Sequence, residues 1–291
     1  MRKKVNRWYN VFYNGWKTII LFCLFALVIA CATVPLTGRK SLNLIPETEL
    51  LALSFQQYSQ VLKESRIVRE GKKVHLVKNA GRRIAAATEE FLVESGRGDT
   101  LKNYQWEFNV INDDKTVNAW CMPGGKVAVY TGIFPVARGE TGLAVVLGHE
   151  IAHAIAGHGN ERMSDALLVQ LGGMALSVAL QKQPAKTRQI FLTAYGASAT
   201  LGFLLPYSRL HESEADRIGL VLMARAGYNP EEAIALWERM NKEGGPRPPE
   251  FLSTHPAPES RIEDIKSYLP EAMRYYHGSR QSSSDKKHLR D

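Results

Sequence analysis

"VLGHEIAHAIAGHG", Val146 to Gly159, is the stretch whose reading decides the fold. It sets three histidines and a glutamate into what is otherwise the apolar sequence of a buried helix. Helix positions four apart share a face, with Cβ atoms about 5–6 Å apart, so His149 and His153 can present two imidazole nitrogens to one ion. Glu150 sits one residue step, about 100°, around the helix and reaches a water beside that ion more readily than the ion itself. Two ligands and one base from a single helical turn is the pattern of a hydrolytic metal site. Histidines in helices are more often ordinary core or surface residues. Here, burying two imidazoles and a carboxylate in so apolar a helix would be costly without a metal or equivalent partners.

A catalytic zinc site takes a third protein ligand and leaves a fourth position for water. His158 lies five residues past His153, about 140° off its face, and is expected beside the site or at the surface. An extended pattern with glycine at 156 and histidine at 159 fails, because the chain has Ala156 and Gly159. The better candidate lies in "SRLHESEADRIGLVLMARAG", Ser208 to Gly227, a helical stretch closed by its glycine. Glu212, Asp216 and Gly219 share one face, whereas Glu214 projects to the opposite side near Arg217. Glu212 is the candidate third ligand. Asp216, one turn on, can accept an N–H from a ligating histidine and so fix its tautomer. Ala215 and Gly219 are small enough to let this helix approach a neighbour closely. An ordinary salt bridge from Glu212 to Arg209 or Arg217 is the alternative.

At 291 residues and 45% hydrophobic, the chain has material for one main domain. Basic residues (Arg2, Lys3, Lys4, Arg7, Lys17) precede an uncharged run, Thr18 to Ala30, that ends in "LVIAC". This resembles a bacterial lipobox, which implies a signal peptide over 1–30 and lipidation of Cys31. With Ala32 rather than aspartate following, it also implies a periplasmic protein anchored in the outer membrane. An uncleaved membrane helix, interrupted by Pro35 and Gly38, is the alternative. Residues 31–45 are then a tether, 46–276 the domain, and 277–291 a polar, disordered tail. After residue 30 the chain keeps thirty-two basic and twenty-nine acidic residues, a balance that argues against a nucleic-acid surface. No P-loop glycine pattern points to a nucleotide. Cys121 is left without a disulfide partner.

Pro46 opens a helical pattern, and a second runs from Val74 to Leu92. Tyr104, Trp106, Phe108 and Val110 then alternate with polar residues as in a strand, and "VNAWCMPGGKVAVYTG" reads as two short strands around a Pro-Gly-Gly turn. From Thr141 the pattern is helical. Two uncharged stretches, Ala166–Gln181 and Gln189–Ser208, are expected to be buried helices, with a membrane-leaning surface as the alternative. The fold class is α+β: mainly helical, with a small sheet and an active-site helix carrying "HEIAH".

Together, "HEIAH", "SRLHESEAD", "NAWCMPGG" and "STHP" resemble the zinc metalloproteases related to the HtpX heat-shock protease and the CAAX-prenyl endopeptidases, most of all their periplasmic lipoprotein branch. The resemblance covers about Leu36 to Leu269 and implies a zincin-type domain. It puts Glu212 at the third-ligand position, completing a single Zn2+ site with His149 and His153. Glu150 would act as the base, Asp216 as its neighbour's orienter, and His255, Arg209 or Tyr207 as oxyanion donors. Similar proteins also bring the loop of His255 close to the metal, where it can close the site. Val127, Ala128, Val129 and Tyr130 are expected to form an edge strand that takes an extended peptide. That favours unfolded or misfolded envelope proteins as substrates, in quality control. The rivals are a chaperone-like binding lipoprotein with a latent metal site and a structural zinc protein.

Overall fold

The computed structural model describes residues 31–200, 205–243, 251, 255 and 260–288. The expected signal segment and Ser253, Thr254 and Pro256 of "STHP" lie outside these residues. Residues 31–45 are not a free tether. They form a two-stranded ribbon, β1 (Cys31–Thr33) antiparallel to β2 (Lys40–Leu42), whose turn buries Val34 and places Arg39 on two glutamates of the domain. The physical reason is charge: one arginine meets two largely buried carboxylates that need a partner.

Helix α1 (Glu47–Glu64) follows Pro46 as the sequence predicts, and α2 (Lys72–Glu94) buries Val77, Ala80 and Ile84 along one stripe. The four-stranded sheet has the order β3 (Ile67–Val68), β4 (Glu107–Ile111), β6 (Lys126–Tyr130), β5 (Ala119–Met122). β4 and β6 are parallel, with Phe108 opposite Val127, while β5 runs antiparallel to β6, with Cys121 opposite Val127. The expected edge strand, Val127 to Tyr130, is therefore interior, and Val127, Ala128 and Val129 are fully buried. Three apolar residues in succession suit a strand covered on both faces, not an edge. Among the described residues β5 is the edge beside the site.

After a short turn, α3 (Phe134–Ala137), the chain enters α4 (Glu140–Ala156), which carries "HEIAH". Leu143, Val146, Leu147, Ile151 and Ile155 bury it against α2, β5 and α7 (Leu205–Arg225). Gly157 ends α4 in the left-handed conformation (φ 75°), where a side chain would be strained, and α5 (His158–Ala179) begins at once in a new direction. Where α4 crosses α7, a Cβ on Gly148 would fall 2.8 Å from the carbonyl oxygen of Gly219. The two backbones touch, and this contact sets the spacing of everything the two helices carry.

Helices α5 and α6 (Ala185–Ala199) form a hairpin that leaves the domain, and none of residues 166–198 is buried. The expectation that these apolar stretches are core helices is thus corrected: they pack on each other, and among the described residues nothing buries them. α9 (Arg261–His288) closes the fold over α7, and α8 (Glu232–Glu243) packs against α4 and α9. α9 continues through most of the expected disordered tail, to His288.

Candidate metal centre

Helix α4 presents His149 and His153 on one face, and the close crossing at Gly148 and Gly219 brings Glu212 of α7 against them. His149 Nε2 and His153 Nε2 lie 3.1 Å apart, and each is 3.3 Å from a carboxylate oxygen of Glu212. His255 completes the group, its Nδ1 being 3.2 Å from His149 Nε2 and 3.1 Å from both oxygens of Glu212. Four donors held tetrahedrally at about 2.0–2.1 Å from a zinc ion stand about 3.3–3.4 Å from one another. The observed separations are close to the edges of that tetrahedron.

The far sides of the imidazoles explain why these nitrogens need a cation. His149 donates its Nδ1–H to Asp216 Oδ1 at 2.9 Å, and His153 donates its Nδ1–H to His158 Nδ1 at 2.8 Å. His158 in turn donates from Nε2 to Glu214 at 3.2 Å. With those protons committed, the two Nε2 lone pairs face each other and the carboxylate of Glu212, all of them buried. Converging lone pairs repel unless a positive charge sits among them. The electrostatics show the same pull for positive charge, which a proton on His149 meets where no ion does. Burial opposes a charge on His149, but the carboxylates of Asp216 and Glu212 outweigh it and push its pKa up to about 9. Burial holds His153 well below its usual range and takes His158 down to about 4, so both are neutral. The donor set therefore fits zinc.

Asp216 is held by Arg261, which was not anticipated from sequence. Its Nε and Nη2 each lie 2.8 Å from an oxygen of Asp216, Nη1 reaches Glu212 at 3.3 Å, and the guanidinium stacks over Trp237 at 3.5 Å. A buried arginine at the start of a helix carries no signal in a single sequence; only the fold brings it to α7. A second layer was also missed. Arg39 bonds Glu161 at 2.6 Å and Glu214 at 2.8 Å, Thr37 donates to Glu214 at 2.6 Å, and His211 bonds Glu161 at 2.9 Å. Glu214 thus points away from the ligands, as the helical phase predicts, yet it is buried rather than facing solvent near Arg217, which pairs with Glu271 instead.

Glu150 is buried beside the ligands, and burial raises its pKa, opposed by His255 and His149. Its Oε1 has no hydrogen-bond partner among the described residues, although His255 Nε2 stands 3.3 Å away. A buried carboxylate oxygen left over at such a place suits a base awaiting a water's proton. Arg209 is exposed and does not join the group, and the side chain of Tyr207 lies outside the described residues. Phe251 packs its ring on His255 at 4.7 Å, and its amide donates to the carbonyl of Val117, just ahead of β5. A cleft of about 520 Å³ opens at His153 and runs between β5 and α1, lined by Leu50, Leu51, Tyr104, Cys121 and Met122.

The sequence profile described as peptidase family M48 matches residues 79–269. The chain is 38% identical to the mitochondrial metalloendopeptidase OMA1 of Saccharomyces cerevisiae over 213 residues, 69% of this chain and 56% of that protein. It is 28% identical to the mitochondrial metalloendopeptidase OMA1 of Homo sapiens over 91% of this chain and 52% of that protein. The beta-barrel assembly-enhancing protease of Escherichia coli is 32% identical over 56% of this chain and 34% of its own length. The chain spans about half the length of the curated mitochondrial relatives named here. These relatives overturn the expected address in a bacterial periplasm and outer membrane: the mitochondrial proteins match over more of the chain than the Escherichia coli one does.

Proposed function

This chain belongs to peptidase family M48, and on that premise we propose that it is a zinc metalloendopeptidase acting on unfolded or misfolded proteins as a quality-control enzyme. The observation that carries the reading is the convergence of His149 Nε2, His153 Nε2 and Glu212, with Glu150 alongside. When bound by these residues, zinc supplies a lowered pKa for water, toward about 7, and polarisation of the scissile carbonyl. Glu150 takes the proton of the attacking water and passes it to the leaving amine. Asp216, clamped by Arg261, keeps His149 in the tautomer that offers Nε2 to the ion; His158 does the same for His153. An extended substrate lies along β5 rather than β6, since an edge strand binds any peptide through its backbone.

His255 holds the fourth position, so the form described here is a closed one, and Phe251 ties the same segment to Val117. Activity then requires this segment to withdraw. The closed set also favours a second reading, a substrate-binding protein with a latent metal site. Attachment to a membrane belongs to the proposal as well, supported by the uncharged run Thr18–Ala30 before Cys31. Cys31→Ser should release the chain if a lipid on that thiol holds it, and unchanged fractionation with membranes would rule out the thiol.

The experiment measures zinc content and casein cleavage of the full chain, with and without a chelator. His149→Ala, His153→Ala and Glu212→Ala should each lose stoichiometric zinc. Glu150→Gln should keep zinc and bind casein, with turnover lower by about 10²–10⁴-fold. Casein binding without any zinc-dependent cleavage in the unmodified chain would favour the second reading.

A further inference from the structure

The hairpin of α5 and α6 is built internally, and no described residue covers its outer face. Tyr195 donates its hydroxyl to the carbonyl of Val169 at 3.0 Å and lies against Gly172, where an added Cβ would fall 2.1 Å from the hydroxyl oxygen. This zips the two helices together while their outer faces stay in solvent. On α5, Leu167, Leu171, Met174 and Val178 recur at helical spacing, and exposure rises outward along the last three, from 51% to 58% to 63%. Ile190 and Phe191 of α6 add two more apolar side chains to the hairpin's exposed surface, both more than half exposed. An apolar stripe of this length on a water-soluble face marks a contact surface.

Charge identifies the partner. Glu161, Arg162 and Asp165 lie at the root of α5; beyond them, up to Arg209, the only charged residues are Lys182, Lys186 and Arg188, which cluster at or beside the turn of the hairpin. An apolar shaft ending in cations complements a bilayer with anionic headgroups, the acyl region taking the leucines and the headgroups the lysines. With cations at the tip and charged residues at the root, both ends stay at the headgroups, so the hairpin lies along the surface, and its length is too short to span. α6 has 15 residues, about 22 Å, against a hydrocarbon core of about 30 Å. Among the described residues no helix is long and apolar enough to cross a membrane.

We propose that the hairpin of α5 and α6 beds into one leaflet of an anionic membrane and seats the domain on its surface. The hairpin is rooted on both sides of the metal centre, since α5 begins at His158 and α6 leads into the helix of Glu212. A bedded hairpin therefore holds the site at the bilayer surface, facing polypeptides that lie on or emerge from it. The assignment does not depend on zinc or on cleavage, so a test without activity separates it from the function proposed above.

The test uses the full chain in vesicles of phosphatidylcholine and phosphatidylglycerol, with Cys23→Ser, Cys31→Ser and Cys121→Ser removing the native thiols. Met174→Cys or Val178→Cys carries an environment-sensitive NBD label, and Glu90→Cys on the exposed face of α2 serves as the control. Labels at 174 and 178 should shift to the blue and lose most of their emission to acyl-chain doxyl lipids, whereas the control label should do neither. Each charge removed from Lys182, Lys186 and Arg188 should weaken hairpin partitioning about fivefold, and vesicles of phosphatidylcholine alone should act in the same direction. Hairpin labels that shift to the blue without lipid quenching would put a second copy, or residues 18–30, on this face and overturn the assignment. Labels that stay in water would overturn it equally.

Discussion

His255 is the residue whose role the geometry sharpens most. Its Nδ1 stands among the same lone pairs as the other three donors, and its Nε2 lies against Glu150. A histidine there occupies both the water's position and the base's partner position. His255→Ala should therefore keep stoichiometric zinc and raise kcat/KM on casein; a fall of about 10²–10³-fold would make it an oxyanion donor instead. The two glutamates of "HESEAD" part in the same way. Glu212→Gln should lose zinc, whereas Glu214→Gln should keep it and lose about 1–3 kcal/mol of stability, because Glu214 is the acceptor for His158, Arg39 and Thr37. Zinc content and urea midpoints of the two variants, measured side by side, check the ranking. Helical phase alone made legible how His149, Glu150 and His153 stand within α4 and how Glu212 and Asp216 stand within α7; that the two sets meet was implied only by the family resemblance. Arg261 and Arg39 were not, because their places depend on how distant segments return to the helices.

Among the elements, the crossing of α4 and α7 decides whether the site exists. Gly219 was legible as a small residue on the ligand face, but that it meets Gly148 backbone to backbone was not. A Cβ on Gly219 would stand 2.8 Å from the amide nitrogen of His149, the residue that must reach Glu212. Gly219→Ala should cost about 1–3 kcal/mol in overpacking and, by levering the helices apart, lower zinc affinity. Full stability with unchanged zinc affinity, by thermal unfolding and zinc titration, would show that the crossing has slack. The sheet shows where periodicity stops informing. Alternation and apolar runs identified strands around the Pro-Gly-Gly turn, yet neighbour order places β6 inside and β5 at the edge, and order is a property of long-range pairing. The hairpin of α5 and α6 is the converse: its apolar composition was plain, and only the fold shows that the described residues do not bury it.

Across the whole molecule, the segment before α1 is the part the sequence understated. It looked like a spacer because it is short and holds Pro35 and Gly38, but Thr37 and Arg39 reach Glu214 and Glu161 and so touch the layer behind His153. The segment 31–45 thus reaches the zinc helix through Glu214 and His158. Burial opposes ionisation of both glutamates, but bonds from Arg39 and His211 to Glu161, and from His158, Arg39 and Thr37 to Glu214, hold each pKa down to about 2 against a usual value of 4.5. A depressed carboxyl stabilises the fold fully above its unfolded pKa and loses that contribution as pH falls through the folded one. These bonds should therefore be intact above about pH 4.5 and gone near pH 2. In Arg39→Met both glutamates lose their arginine, and their folded pKa values should move back toward 4.5. Compared as metal-free proteins in chelator, wild type should be the more stable at neutral pH, with the gap narrowing as pH falls through that window. Urea unfolding across the range measures it, and a gap that stays constant with pH would mean that Arg39 holds the segment by packing alone.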